Sequence, residues 1–98
     1  MKTEKYRCYI CGKMGPTEKH HVFGGPNRPL SEKDKLFVYL CHDCHNEPPD
    51  GVHFDKNRRR WLQGKAQEEY EQQKIEQGCT PEEARSLFMQ RYGRNYKE

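Results

Sequence analysis

Two pairs of cysteines are the first residues of this chain whose types and spacing could do chemistry. Two residues separate the members of each pair, and twenty-nine residues lie between the pairs. Four thiolates in this arrangement fill the tetrahedral coordination of one zinc ion. The predicted ligands of a structural zinc are Cys8, Cys11, Cys41 and Cys44. An iron–sulfur cluster and a disulfide framework are the alternatives, and Cys79 is left over.

A set of histidines accompanies these cysteines. His20 and His21 lie between the two pairs, and His45 follows the second pair directly. Four thiolates satisfy a structural zinc, so the histidines are free for a second site with different chemistry. Hydrolysis of a phosphodiester with one metal needs a base that takes a proton from water and a Lewis acid at the leaving oxygen. One histidine can act as this base, and others can hold the cation. The alternative is that one imidazole packs in the core or replaces a cysteine as zinc ligand.

The adjacent positions of His20 and His21 constrain the local backbone. Neighbouring residues of a flat strand point to opposite faces, so one shared site requires a bend or a strand edge. Gly24 and Gly25 follow closely and favour such a distortion.

Composition indicates one small domain that depends on metal. The 98 residues are 32% hydrophobic and 34% charged, and chains of this size often need metals to supplement their core. Zinc can contribute on the order of 10 kcal/mol to the folding of small finger-like units. The cysteine spacing favours a reducing cytoplasm. We see no secretory signal and no apolar run long enough to span a membrane.

The elements that must position these residues can be predicted in outline. A short β-like run is expected over residues 19–23, a Gly- and Pro-rich loop over 24–35, and the strongest strand over 36–40. A long polar helix is expected over residues 56–76, with a narrow apolar stripe formed by Leu62, Ala66 and Tyr70. Trp61 beside it is expected in the core, and a stacking platform is the alternative for that ring. Thr80, Pro81 and Glu83 form a capping box that starts a second helix, and the tail 93–98 is expected to be loose.

A basic segment follows the second cysteine pair. Residues 56–65 contain five basic side chains and no acidic one, although the net charge is only +3. Clustered cations suit phosphate contacts, which position a nucleic acid without reading its sequence. The candidate contacts are Lys56, Arg58, Arg59, Arg60 and Lys65, with Arg28 in the loop. The alternative is a solvated helix face.

Taken together, the motifs resemble a known family. Their order in the chain is a histidine run, a Gly-rich loop, a strand and a cysteine–histidine run. The histidine run extends from Glu18 through His20 and His21 to Phe23, and the last run extends from Leu40 through Cys41, Cys44 and His45 to Asn46. This order resembles the zinc-knuckle class of HNH (ββα-metal) endonucleases. The likeness is strongest to small phage-encoded members similar to the recombination-enhancement nucleases. It covers about residues 8–55, and the run 51–54 also looks like that group.

This resemblance implies a fold and a set of roles. The fold would be a small α+β one: a zinc-stapled ββα-metal core with a short hairpin over residues 1–55, and a helical extension over 56–98 that packs on it within a single domain. His21 would be the general base, and His20 and His45 would bind the catalytic cation. That cation would be Mg²⁺, Mn²⁺, Ni²⁺ or a second Zn²⁺, and histidine ligands argue against Mg²⁺.

The chain departs from the family pattern at two positions. The asparagine of the second strand is replaced by Leu36, so Asp34, Asn27 or a main-chain carbonyl would have to orient the base. Pro49 lies where the last cation ligand is expected, and His53 is the natural substitute, with Asn46 or Asp55 as lesser candidates. Glu18 shares a strand face with His20 and would orient that ring.

The predicted function is therefore that of a metal-dependent DNA endonuclease or nickase with little sequence specificity. By resemblance it would act in a bacterial host cell, encoded by a phage or prophage, with a possible recombination or DNA-processing partner. The alternative is a non-catalytic zinc module that binds nucleic acid or protein.

Overall fold

A three-stranded antiparallel sheet and four helices make up the fold. The computed structural model describes residues 4–49 and 51–97, with side chains from residue 6 onward. In chain order the elements are β1 (Glu4–Arg7), β2 (Met14–His21), α1 (Arg28–Lys33), β3 (Phe37–Leu40), α2 (His42–Asn46), α3 (Lys56–Glu76) and α4 (Pro81–Tyr92). The predicted α+β class is thus confirmed. None of the helices in the described part of the chain is long and apolar enough to cross a membrane.

The register of the sheet determines which residues share a face. The strand order is β1-β2-β3, and His20 lies opposite Val38 while His21 lies opposite Phe37. Leu36 and Leu40 are almost completely buried, so the even-numbered side of β3 faces the core. The same core includes Leu62 of α3 and Phe88 of α4. Both long helices therefore pack against the part of the chain that carries the cysteines and histidines.

Two local predictions between residues 14 and 35 need correction. The strand predicted over 19–23 runs from Met14 to His21, because it pairs with β1 as well as β3. The segment predicted as a loop over 24–35 contains a 3-10 turn and helix α1. Pro26 and Pro29 lie in the first turns of these two helical segments, where a missing N–H costs nothing.

The C-terminal helices begin where the sequence predicts. Thr80 accepts a hydrogen bond from the backbone of Glu83, whose carboxylate accepts one from Thr80 N–H, so the capping box is confirmed. Gly93 ends α4 at a φ of 87°, a left-handed conformation that favours glycine. Trp61, predicted to be a core residue, is instead 49% exposed. It lies beside Leu62, which takes the buried position.

The tail was predicted to be loose and is instead docked on the core. Gln67, which is fully buried, donates to Asn95 Oδ1 at 2.9 Å and accepts from Tyr96 N–H at 2.7 Å. The Tyr96 ring lies 4.9 Å from that of Phe23. The buried amide of Gln67 requires hydrogen-bond partners, and the tail provides them. Asp50 and the last residue of the tail, Glu98, lie outside the described residues.

A buried carboxylate joins the two long helices. Glu71 is 7% exposed and accepts hydrogen bonds from Gln67 and Arg85, both at 2.7 Å. Burial acts to raise the pKa of Glu71, but these donors and the charge of Lys97 outweigh it and hold the pKa below its usual value. The ionised form is therefore favoured in the folded protein.

We expect Glu71→Gln to lower the free energy of unfolding by about 1–3 kcal/mol at pH 7, because a buried charge-assisted network is lost. Since the folded pKa is depressed, this contribution is present above the unfolded pKa of about 4.3 and disappears as pH falls through the folded value. The difference between variant and wild type in urea unfolding should therefore shrink below about pH 4. Glu68→Gln, at an exposed ion pair with Lys65, should change stability by less than about 1 kcal/mol. An equal effect of the two substitutions would contradict this role of Glu71.

Candidate metal centres and active site

The four paired cysteines converge on one point. The sulfur atoms of Cys8, Cys11, Cys41 and Cys44 all lie within 4.8 Å of one another. Cys8 and Cys11 flank a tight turn in which Gly12 N–H donates to the carbonyl of Cys8 at 2.9 Å. Cys41 directly follows β3 and is the N-terminal cap of α2, while Cys44 lies within that helix. Two separate turns thus present four sulfurs to a single metal-sized space, and the cluster could bind a metal such as zinc.

The electrostatics of this cluster suit a cation. Burial and the neighbouring thiols raise the pKa of Cys44, and burial also raises the pKa of Cys41. Burial acts in the same direction at Cys8, but backbone hydrogen bonds from Cys11, Cys41 and Ile10 outweigh it and lower the pKa of Cys8 to about 6. Four thiols at this separation cannot all ionise without a compensating positive charge. A zinc ion provides that charge and takes four sulfur ligands.

Three histidines form a second cluster on the core side of the sheet. His20 lies on β2 and His45 on α2, and His53 follows α2 after a turn. Their candidate ligand nitrogens lie within 4.8 Å of one another. Nε2 of His45 and Nε2 of His53 are 3.0 Å apart. The sequence left His53 open as a ligand, and the fold brings it to the other two.

The turn before His53 explains how that histidine reaches the cluster. Gly51 N–H donates to Glu47 O at 2.7 Å, and Val52 N–H donates to Cys44 O at 2.8 Å. A Cβ on Gly51 would lie 2.8 Å from the backbone nitrogen of Glu47, so only glycine allows this close approach. His53 N–H then donates to the carbonyl of His45 at 3.3 Å. The chain is thereby folded back against α2.

The surroundings of His20 and His53 favour the neutral form of imidazole, which is the form that binds metals. His20 is 7% exposed, and its burial together with the neighbouring histidines lowers its pKa to about 4. Burial, followed by the charge of His45, also lowers the pKa of His53. Neutral imidazoles present lone pairs, and imidazole suits Zn, Ni and related cations. Two nitrogens about 3 Å apart match neighbouring ligands on such an ion.

Glu18 serves a different histidine from the one predicted. Its Oε1 lies 2.7 Å from Nδ1 of His45 and accepts a hydrogen bond from Asn46 at 3.1 Å. These contacts hold the pKa of Glu18 below its usual range. A carboxylate at Nδ1 fixes the ring so that Nε2 faces the cluster. Asn46, one of the lesser ligand candidates, is thus engaged with Glu18, and Asp55, the other, caps helix α3.

His21 lies at the end of β2 and is held by a residue that the sequence did not single out. Its Nε2 is 2.7 Å from Oε1 of Glu32, and Lys19 donates to both oxygens of the same carboxylate. The hydrogen bonds from Lys19 and His21 lower the pKa of Glu32. In the neutral tautomer whose Nε2–H donates to Glu32, Nδ1 of His21 has the lone pair. A proton acceptor needs such a lone pair.

The substitutes proposed for the missing asparagine have other partners. Asp34 accepts from Arg91 and from the hydroxyl of Tyr92, each at 2.6 Å. Asn27 donates to the carbonyl of Tyr92 at 3.3 Å. Glu32 was missed because it lies in the segment predicted to be a loop, where its place on helix α1 could not be anticipated. The available signal was that Glu32 is an acidic residue only eleven positions from His21, the predicted base.

The predicted phosphate contacts separate into two groups. Arg28 and Arg59 line a cavity of about 560 Å³ that also includes His20, His21, His45 and His53. Arg59 additionally donates to the carbonyl of Val52 at 3.2 Å and so supports the loop that carries His53. Arg58 lies 3.9 Å from Asp55, and Lys56 and Arg60 are exposed on α3.

Comparisons of the chain with protein-family models, with curated proteins and with solved structures give no match. The function must therefore be argued from the site itself.

Proposed function

We propose that this protein is a metal-dependent DNA endonuclease or nickase of the HNH type, with Zn²⁺ in the cysteine cluster and a second divalent cation in the histidine cluster. In this proposal β2, β3 and α2 correspond to the ββα-metal core. DNA is the expected partner, with phage or prophage DNA processing in a bacterial cytoplasm as the expected setting.

One observation carries the proposal. A three-histidine cluster suited to a cation and a separately held histidine, His21, line the same cavity, with Arg28 at its wall. A structural zinc module has no use for this second arrangement. Hydrolysis of a phosphodiester, by contrast, requires a base, a cation site and a contact for the phosphate at one place.

In this proposal, each step of the hydrolysis is carried out by a particular residue. Nδ1 of His21 accepts a proton from the attacking water, and Glu32 holds the ring and stabilises the imidazolium that forms. The water oxygen bonds to phosphorus as the bond from phosphorus to the 3′ oxygen breaks, and the leaving 3′ oxygen takes a proton from solvent water. The products are 5′-phosphate and 3′-hydroxyl ends, and the imidazolium of His21 then returns its proton to solvent. A divalent cation bound by His20, His45 and His53 supplies a Lewis acid for the phosphate and the leaving oxygen. Arg28 contacts the phosphate and positions the strand.

Relaxation of supercoiled plasmid tests the proposal. The zinc-loaded protein is incubated with plasmid and, separately, with Mg²⁺, Mn²⁺, Ni²⁺ or additional Zn²⁺, and the nicked form is quantified on gels. We expect nicking with at least one of these cations and ligatable ends. If none of them supports nicking of plasmid or of shorter DNA substrates, the alternative of a non-catalytic zinc module is the better description.

Glu32 offers a test of how the base is held. We expect Glu32→Ala to reduce the nicking rate by about 10- to 100-fold, in the range found for partners of functional histidines. Glu32→Gln retains an acceptor for Nε2–H and should recover part of that loss, with DNA affinity unchanged in both variants. The matched control is Glu76→Ala, at the far end of α3, which should nick at the wild-type rate. Equal rates for Glu32→Ala and Glu76→Ala would show that Glu32 does not position His21 for catalysis.

A further inference from the structure

A row of aromatic rings crosses the face of the sheet that lies away from the core. Tyr6 lies opposite Gly15, Tyr39 opposite Lys19 and Phe37 opposite His21, which places all three rings on the same side of the sheet. The Tyr6 and Tyr39 centroids are 4.3 Å apart, and those of Tyr39 and Phe37 are 6.1 Å apart. The Phe37 ring is in turn 6.0 Å from the ring of His21. The row therefore ends at the proposed base.

These rings are not needed to fill the core. The buried cluster of the described residues includes neither Tyr6, Phe37 nor Tyr39. Tyr6 is 43% exposed, and the other two are partly exposed. The apolar residues of β3 that do fill the core, such as Leu40, point to the other side. Aromatic side chains on a partly exposed sheet face provide surfaces on which flat ligands can stack.

Positive charge accompanies the row where it approaches the cavity. Nζ of Lys19 lies 3.9 Å from the centroid of the Phe37 ring. Lys19 and Arg28 both line the cavity that contains His21. The nearby carboxylate of Glu32 is engaged by Lys19 and His21. A strand whose bases lie along the rings would thus find the guanidinium of Arg28 for a phosphate at the point where it reaches the site.

We infer that the row formed by Tyr6, Tyr39 and Phe37 binds single-stranded nucleic acid by base stacking and leads the strand to His21. Only unpaired bases offer their faces to such rings, because in a duplex those faces are covered by neighbouring base pairs. The direction of the strand rests on the proposed function, whereas the stacking surface rests on the rings alone. The substrate class that follows is DNA with a single-stranded segment, such as a flap, gap or displaced strand.

Binding of a labelled oligonucleotide tests this inference separately from cleavage. Fluorescence anisotropy of fluorescein-labelled oligothymidylate of about twelve residues, within the site sizes of stacking surfaces, is measured on zinc-loaded protein without added cation. A duplex of the same length is measured in parallel. We expect Tyr39→Leu and Tyr6→Leu each to weaken single-strand binding by about five- to hundredfold. Duplex binding and thermal melting should be unchanged, and Tyr39→Phe should bind like wild type.

A second exposed ring provides the matched control. Trp61 is 49% exposed and its centroid lies 6.0 Å from that of Tyr9, outside the row, so Trp61→Leu should retain wild-type affinity. Equal losses for Trp61→Leu and Tyr39→Leu, or equal binding of single strand and duplex by wild type, would overturn the inference. Single-strand binding unaffected by the tyrosine variants would also overturn it and would make a protein partner the better occupant of this face. Ring-dependent binding without cleavage of plasmid or of a substrate with a single-stranded flap, with any of the four cations, would support this surface while rejecting the proposed nuclease.

Discussion

Replacing Cys8 by serine will leave the chain without tightly bound zinc and without a cooperative thermal transition at 25 °C or above. Cys8 is almost completely buried and its sulfur lies within 4.8 Å of the other three. Structural zinc contributes on the order of 10 kcal/mol to folding in small domains, which is as large as the total stability of many domains. Losing one ligand of four should therefore remove most of the free energy that holds the knuckles together. Circular dichroism melts and elemental analysis of zinc provide the measurement.

The fifth cysteine supplies the control. Cys79 is a free, partly buried cysteine outside the cluster, so Cys79→Ser should keep one zinc per chain and a nearly wild-type melt. His20→Ala should also keep that zinc, because its ring belongs to the other cluster. A Cys8→Ser protein with wild-type zinc content and melting would show that the cysteines do not hold the fold. Loss of the tightly bound zinc in His20→Ala would show that the cysteines and histidines form one metal site and not two.

Replacing His21 by alanine will reduce plasmid nicking by about 10²- to 10⁴-fold, the contribution typical of a positioned general base. The side chain of His21 is only 13% exposed but does not belong to the core cluster, so the variant should stay folded. Its affinity for DNA should change little, because the base acts on water and not on the phosphate. Rates are measured from the decay of supercoiled plasmid at saturating protein.

His42 is the matched control for this experiment. It is 62% exposed and lies 3.2 Å from Glu47 and 3.8 Å from Oε2 of Glu18, the oxygen that does not contact His45. The histidine cluster does not include it. His42→Ala should therefore nick at a rate close to that of wild type. If His21→Ala also nicks at the wild-type rate, another group must accept the proton. If both variants lose activity equally, the effect is not specific to His21.

The local signals in the sequence predicted much of the framework. The C-x-x-C spacing identifies Cys8, Cys11, Cys41 and Cys44 as one set, and the structure places their sulfurs together. The capping box at Thr80 marks the start of α4 correctly. Each C-x-x-C pair and the capping box depend on residues within a single turn, where steric and hydrogen-bonding rules act without help from the rest of the fold. The meeting of the two pairs was inferred from the four ligands that zinc requires.

The predictions failed where packing overrides local preference. The predicted apolar stripe of Leu62, Ala66 and Tyr70 is buried as expected, but Trp61 beside it was expected in the core and is 49% exposed. The tail was expected to be loose, but Asn95 and Tyr96 complete the hydrogen bonds of the buried Gln67 amide. Helix α1 was not predicted, because glycines and a proline precede it and another proline lies in its first turn.

By itself, then, the sequence identified the cysteines and histidines that are candidates for the two clusters. Only the tertiary structure decided the partners: Glu18 with His45, Glu32 with His21, and His53 with the other two histidines. The paired residues are 27, 11 and 8 positions apart. Contacts at such separations depend on sheet register and on the turn at Gly51. Both are set by the packing of the whole chain, which short-range patterns do not encode.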